Sequence, residues 1–282
     1  MGILITGSKG QLGQSFQTFF KKEGINFFAT DVELDITNFK KLREYVSNKD
    51  IDIIINCAAY NAVDNAENDW QSAYRINGLG PKNLALLANE LKAVLVHYST
   101  DYVFDGHKGF LYTIYDKPSP ISKYGESKAL GERNVQNIAN RFFLVRLSWV
   151  FGKGNDNFIT KTIKWSRNKN KLRIVIDQIS SPSYTNDIVK ATYNLIKTEN
   201  YGLYHMTNSG YCSRYQWAKY ILDKINWEGE LLPALSHEFH TPAKRPFLSV
   251  LDSFGLEEVI GYKLPSWQDA TNNFLKEIGL IK

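Results

Sequence analysis

Cysteine is nearly absent: the 282 residues include only Cys57 and Cys212. Two residues so far apart provide neither a disulfide framework nor metal-ligand spacing, so no metal site is expected from them. Cys57 lies inside the apolar run IDIIINCAAY and reads as a small buried side chain. No apolar run approaches the ~20 residues of a membrane span. The N-terminal segment lacks the charged region, apolar stretch and cleavage site of a signal peptide. These two absences lead to the expectation of a cytoplasmic protein with no membrane partner. Neither sign of charge dominates, since 34 basic and 29 acidic residues leave a formal net charge of +5. The basic residues are scattered, and the clusters at Lys21 and Lys22 and between 167 and 173 read as solvated faces, not as a nucleic-acid surface. Internal repeats and low-complexity segments are missing too.

What is present is alternation. Short apolar runs at 1–6, 25–30, 51–56, 94–98 and 142–147 read as strands. Helical patterns at 11–22, 39–47, 66–91 and 124–137 separate them. Nearly continuous apolar strands divided by helices imply an α/β fold: a Rossmann-type, doubly wound parallel sheet covered on both faces. After Trp149 the alternation breaks down, with helices expected at 158–168, 187–197, 213–225 and 267–278 and short strands at 172–176 and 203–206. The chain is therefore expected to form a dinucleotide-binding domain over 1–150 and a smaller substrate-binding lobe over 151–282, partly intertwined with the first. In a sheet of this kind ligands settle beyond the carboxyl ends of the strands. The candidate motifs follow those ends: Gly7, Asp31, residues 58–61, residues 99–101, and Ser148 with Trp149.

Gly7, Gly10 and Gly13 stand in GSKGQLG at a strand-to-helix junction. Missing side chains there allow a tight turn and close backbone approach to a pyrophosphate facing the helix N-terminus. The spacing is GxxGxxG, not GxGxxG, and glycine triplets also occur in plain turns. Asp31 ends the second strand ~20 residues further on, where a carboxylate can hydrogen-bond an adenosine ribose. Its charge would repel a 2′-phosphate and so favours NADH over NADPH, although Lys9 in the glycine loop offers an offset. Asp31 also reads as a turn aspartate. Asp35 reads equally as a helix N-cap or as an acceptor for the adenine amino group.

Tyr124 and Lys128 are four apart on an expected helix, so both emerge on one face. A ketone receiving hydride needs a proton on its oxygen, and a phenol can supply one when an ammonium stands near. Thr100 or Ser99, at the end of the fourth strand, can hydrogen-bond the same oxygen. Trp149 reads as a flat wall against a hexose or base, or as a core aromatic. Arg245 reads as a fork for a diphosphate or as half of a surface ion pair. His97 reads as packed on its strand, and His205, His237 and His240 lack partners for metal or nucleophilic work.

Taken together, GSKGQLG, NCAAYNAVDNAE, HYSTDYVFDG, YGESKALGE, RLSWVFG, GLYHMTNSG, TPAKRP and LPSWQDA span nearly the whole chain. In these motifs the sequence resembles the extended short-chain dehydrogenase/reductases, and within them the dTDP-4-dehydrorhamnose reductases. The resemblance implies a catalytic triad of Thr100, Tyr124 and Lys128, with Tyr124 as proton donor and Lys128 on the nicotinamide ribose. It implies cofactor contacts from Gly10, Gln11, Leu12, Asp31, Asp35, Ile36, Ala59, Tyr60, Asn61 and Tyr98. It implies sugar-nucleotide contacts from Thr100, Asp101, Tyr124 and Trp149. The implied activity is NAD(P)H-dependent reduction of the C4 ketone of dTDP-4-dehydro-L-rhamnose, with a nucleotide-diphosphate sugar as partner. Three departures stand out. Asn61 replaces the usual threonine, DQISSPSY lacks the usual glycine and carries Ser183 for threonine, and the acidic Mg2+ ligands found at the dimer contact of some members have no match here. A magnesium ion and the matching homodimer are therefore left open. Alternatives are another nucleotide-sugar 4-ketoreductase or a 4-epimerase, and, from a different class, a non-catalytic regulatory subunit that kept the fold.

Overall fold

Strands buried on both faces favour nearly continuous apolar side chains, and β1 (Ile3–Thr6) has three, followed by a buried Thr6 whose hydroxyl donates to Asn56 Oδ1 at 2.8 Å. The structure is a computed structural model that describes residues 2–282. It continues through α1 (Gln11–Lys22), β2 (Phe27–Ala29), α2 (Phe39–Val46) and β3 (Ile53–Asn56). Then come α3 (Trp70–Tyr74), α4 (Gly80–Leu91), β4 (Val94–Thr100), α5 (Lys123–Ile138) and β5 (Phe142–Leu147). Successive strand residues point to opposite faces. Ile3 and Ile5 pack with Phe16, Phe20 and Val145 on one side of the sheet, while Leu4 packs with Leu42, Leu84 and Val135 on the other.

The single helical run expected over 66–91 is interrupted. A 3-10 turn (Asn65–Glu67) precedes α3, and a π-helical turn (Arg75–Leu79) separates α3 from α4. Pro81 lacks the N–H that would donate to the carbonyl of Asn77, so the regular ladder cannot pass through this point. The freed carbonyl faces Gly131 of α5, where an added Cβ would stand 2.2 Å from it. The Asn77 side chain accepts from Tyr60 N (2.8 Å) and donates to Tyr60 O (3.0 Å) and Ser127 Oγ (2.9 Å). A wide turn thus ties the loop after β3 to α5.

The second half holds β6 (Val150–Phe151), α6 (Phe158–Asn168), β7 (Lys171–Val175), β8 (Ile179–Ser180), β9 (Ser183–Tyr184) and α7 (Thr185–Ile196). It ends with β10 (Gly202–His205), β11 (Cys212–Ser213), α8 (Arg214–Lys224), β12 (Glu230–Ala234), α9 (Leu256–Ile260) and α10 (Trp267–Glu277). The short strand expected at 203–206 is β10, and it lies parallel to β5 at the edge of the main sheet. That sheet has six parallel strands in the order β10-β5-β4-β3-β1-β2. Between β9 and β10 the chain returns through α7, whose Ile188, Val189 and Leu195 join the same core as α1. A separate cluster of Phe151, Ile159, Trp217, Trp267 and Phe274 holds α6, α8 and α10 together beside the sheet.

One buried ion pair fixes α5 to the sheet. Arg146 of β5 donates from Nε to Glu132 Oε1 (2.9 Å) and from Nη2 to Oε2 (2.7 Å), and each side chain is only 2% exposed. Arg146 Nη1 also meets His205 Nε2 at 3.2 Å, while His205 Nδ1 donates to the carbonyl of Asp252 at 3.1 Å. Burial and the neighbouring guanidinium hold His205 down to about 3, so it stays neutral.

Candidate active site

The glycine turn after β1 is built by necessity. Gly7 has φ +65°, and a Cβ there would stand 2.4 Å from Ala58 N. Gly10 is the N-cap of α1 and contributes no side-chain cap. The first N–H groups of a 12-residue helix therefore remain available to an anion. Gly13 faces inward against the carbonyl of Gly7 and lines neither of the two cavities beside this turn.

Two adjoining cavities follow the carboxyl ends of the strands. The first, about 570 Å³, is lined by Gly7, Gly10, Asp31, Asp35, Ile36 and Ala59, among others. The second, about 540 Å³, is lined by Gln11, Leu12, Tyr98, Ser99, Thr100 and Asp101, and by Tyr124, Lys128 and Trp149. Gly10, Cys57, Ala58, Ala59, Asn61 and Asn155 border both, so the two form one cleft. Within it, Gln11 Oε1 and Ser99 Oγ are buried without a protein partner. Buried polar atoms without partners are expensive. These two, with the open helix turn, fit a dinucleotide laid along the cleft.

In the first cavity, Asp31 Oδ2 accepts from Lys9 N (2.7 Å) and Oδ1 from Val32 N (2.9 Å). Lys9 Nζ turns away to Glu33 at 3.3 Å. Asp35 accepts from Thr37 N (2.8 Å) and Thr37 Oγ1 (2.9 Å). It does not cap α2: Asn38, immediately before the helix, accepts from Lys41 N. Ile36 is buried and lines the first cavity.

At the other end, α5 starts with the Ser122 hydroxyl accepting from Gly125 N. Its first turns carry Tyr124 and Lys128 into the second cavity. The Tyr124 hydroxyl reaches Asn61 Oδ1 only at 3.5 Å. Burial pushes this phenol well above its ordinary value, and the Thr100 hydroxyl only partly opposes the shift. The group is thus held protonated near neutrality, as a proton donor must be. Lys128 Nζ donates to the carbonyl of Tyr98 at 2.6 Å. Burial lowers its ammonium to about 8, with the charge of Glu132 opposing.

Asp101 is buried and collects hydroxyls. Oδ1 accepts from Thr100 Oγ1 (3.1 Å), and Oδ2 from Ser180 Oγ (3.2 Å) and Ser249 Oγ (2.5 Å). Burial pushes its carboxyl up to about 6 in spite of those bonds. Trp149 has φ +45°, a region costing a bulky residue on the order of 1–3 kcal/mol. Strain of this kind on the wall of a cleft points to function.

Of the other residues read as site candidates from the sequence, two stand outside the cleft and one turns its side chain away from it. The Tyr98 side chain points into the core, its hydroxyl 2.8 Å from Thr192 Oγ1, so its part in the cleft is its carbonyl. Tyr60 lines neither cavity; its hydroxyl donates to Asp69 at 3.2 Å. Arg245 also lies outside both, forming the ion-pair alternative through a 2.7 Å bond to Asp64. Sequence reasoning in turn missed Arg214, Tyr102, Asn155 and Lys161, which line the second cavity. For Arg214 a signal existed: a cation at the first position of a helix opposes the helix dipole and so serves something other than local stability. Among the described residues no group of three or more His, Cys, Asp or Glu side chains is placed to hold a metal ion. No helix among them is long and apolar enough to cross a membrane.

A Rossmann-type sheet, a glycine turn under one end of the cleft and a Thr–Tyr–Lys group at the other define the class of extended short-chain dehydrogenase/reductases. Within that class, the family model described as RmlD substrate binding domain matches residues 1–280, and the chain belongs to that family. The spore coat polysaccharide biosynthesis protein SpsK of Bacillus subtilis (strain 168) is 36% identical over 98% of this chain and 97% of its own. The dTDP-4-dehydrorhamnose reductase of Aggregatibacter actinomycetemcomitans is 35% identical over 96% and 97%. Among solved structures, a dTDP-4-dehydrorhamnose reductase from Bacillus anthracis str. Ames in complex with NADP superposes with a TM-score of 0.94 at 37% identity, covering 98% of this chain and 99% of its own.

Proposed function

We propose that this protein reduces the C4 ketone of dTDP-4-dehydro-L-rhamnose to dTDP-L-rhamnose, using NADPH or NADH, in deoxysugar synthesis for a surface polysaccharide. The observation that carries the reading is the presence of Tyr124, Lys128 and Thr100 together in the lining of a cleft continuous with the glycine turn. A nicotinamide bound there supplies the hydride. Tyr124 delivers the proton to the C4 oxygen, and Thr100 holds that oxygen in line. Lys128, anchored to the carbonyl of Tyr98, presents its remaining N–H donors to ribose hydroxyls and favours the phenolate left behind.

Incubating the purified protein with dTDP-4-dehydrorhamnose and NADPH should oxidise one cofactor per dTDP-L-rhamnose formed. Absence of oxidation with either cofactor would sink the reading, and tightly retained cofactor without net oxidation would point to a 4-epimerase. Asp31 sits where a 2′-phosphate would lie, so its charge sets the balance between the two cofactors. Asp31→Asn keeps an acceptor for Lys9 N and is expected to raise the NADPH-to-NADH ratio of kcat/KM about 5–10-fold, since one charge at an exposed site is worth on the order of 1 kcal/mol.

Lys128 is charged below about pH 8 and loses its proton as pH rises through that value. Because kcat/KM reports groups of the free enzyme, it should fall about tenfold per unit above this point. Lys128→Arg, charged throughout, should lower the plateau yet remove the limb. A profile unchanged in that variant would show that the limb belongs to another group.

A further inference from the structure

We propose that Arg214 binds the diphosphate of the nucleotide sugar, with Trp149 as the platform that aims it. This rests on the reading of the cleft as a nucleotide-sugar site.

The guanidinium carbon of Arg214 lies 3.6 Å from the ring centroid of Trp149, 4.8 Å from that of Phe158 and 5.7 Å from that of Trp217. Trp149 and Trp217 are themselves nearly parallel, their planes 5° apart. A guanidinium laid flat on an aromatic face keeps its N–H donors in its own plane, directed outward from the stack. Arg214 and Trp149 both line the second cavity, on which Lys161 also opens. Trp149, with its φ of +45°, holds its ring against Arg214 on the wall of the cleft.

Among the described residues nothing engages the Arg214 side chain by hydrogen bond or ion pair, and its backbone N donates to Gln178 O. The carboxylate whose charge it feels most, Asp101, is already occupied by three hydroxyls. Its place at the start of the 11-residue α8 sets a cation at the positive end of the dipole, which costs stability. Burial lowers this guanidinium to about 10, the mark of a cation short of solvent. Arg75, on the first cavity, donates to Thr37 Oγ1 at 3.2 Å, and Arg245, outside both cavities, is held by Asp64, so Arg214 is the fork left open to an anion in the second cavity. Planar bidentate donors match two phosphate oxygens.

The test measures binding of dTDP, thymidine and NADPH by calorimetry to wild type, Arg214→Gln and Arg214→Lys, together with KM and kcat for dTDP-4-dehydrorhamnose. Arg214→Gln should weaken dTDP at least about 30-fold and raise KM in parallel, with thymidine and NADPH within about twofold of wild type. Arg214→Lys should recover part of the loss. NADPH binding doubles as the check that the variants fold. Unchanged dTDP affinity in Arg214→Gln overturns the proposal, as does an equal loss of NADPH, which would place the guanidinium on the cofactor. If wild type binds dTDP through Arg214 yet turns over no dTDP-4-dehydrorhamnose, the diphosphate assignment stands and the proposed substrate falls. If it turns over that substrate and Arg214→Gln leaves KM untouched, the reverse holds.

Discussion

Tyr124→Phe is expected to lower kcat at least about 100-fold while leaving NADPH affinity within about twofold, because the change removes one hydroxyl from the reacting end of the cleft. The ring has reason to stay where it is. It is 8% exposed, packs with Ala66 and Ala73, and meets Tyr102 edge-on at 5.8 Å. Its hydroxyl makes a long contact to Asn61 and feels the Thr100 hydroxyl beside it, so little folding energy goes with it. Loss of turnover therefore tests the proposed role of this hydroxyl as proton donor. Steady-state kinetics with either nicotinamide cofactor, paired with a melting curve, reads both quantities. A variant that keeps its kcat would mean that water or another side chain protonates the C4 oxygen.

The second large effect is on stability. Glu132→Ala strands the Arg146 guanidinium in the core with only His205 Nε2 and the Phe104 ring for company. Removing one partner of a buried pair costs about 3–5 kcal/mol. For a chain of this size that lowers the melting temperature by roughly 10 °C. The double replacement Glu132→Leu with Arg146→Met should recover most of the loss, since apolar substitutes of similar volume commonly replace a buried pair at no cost. Equal melting points for wild type and Glu132→Ala would mean that the pair anchors nothing. Activity near neutrality should fall further than the folded fraction, because the charge of Glu132 also holds up the Lys128 ammonium.

Much of this arrangement is visible in the sequence because parallel strands buried on both faces leave unbroken apolar runs. β1, β3 and β5 read that way, and glycine, Thr100 and Trp149 mark where such runs stop. What stays hidden depends on pairing across distance. Gly202–His205 is too short for its pattern to name a neighbour, and only the return of α7 onto α1 brings it to β5. The break between α3 and α4 turns on one missing N–H at Pro81, whose effect falls four residues earlier and out of sight of apolar periodicity. Arg245 and Arg214 illustrate the same limit. Each is a basic residue in the second half, and only the structure shows that Asp64 occupies one while the other lies open on Trp149.

The position of β10 bears on how the polypeptide is made. During translation, β5 emerges early, but the strand that hydrogen-bonds to its outer side emerges only after α6, the small sheets and α7. Until His205 leaves the ribosome, the nascent product carries an unsealed apolar strand, a template for pairing with other chains. A premature stop between β5 and β10 would thus yield aggregate in place of a working cofactor-binding half.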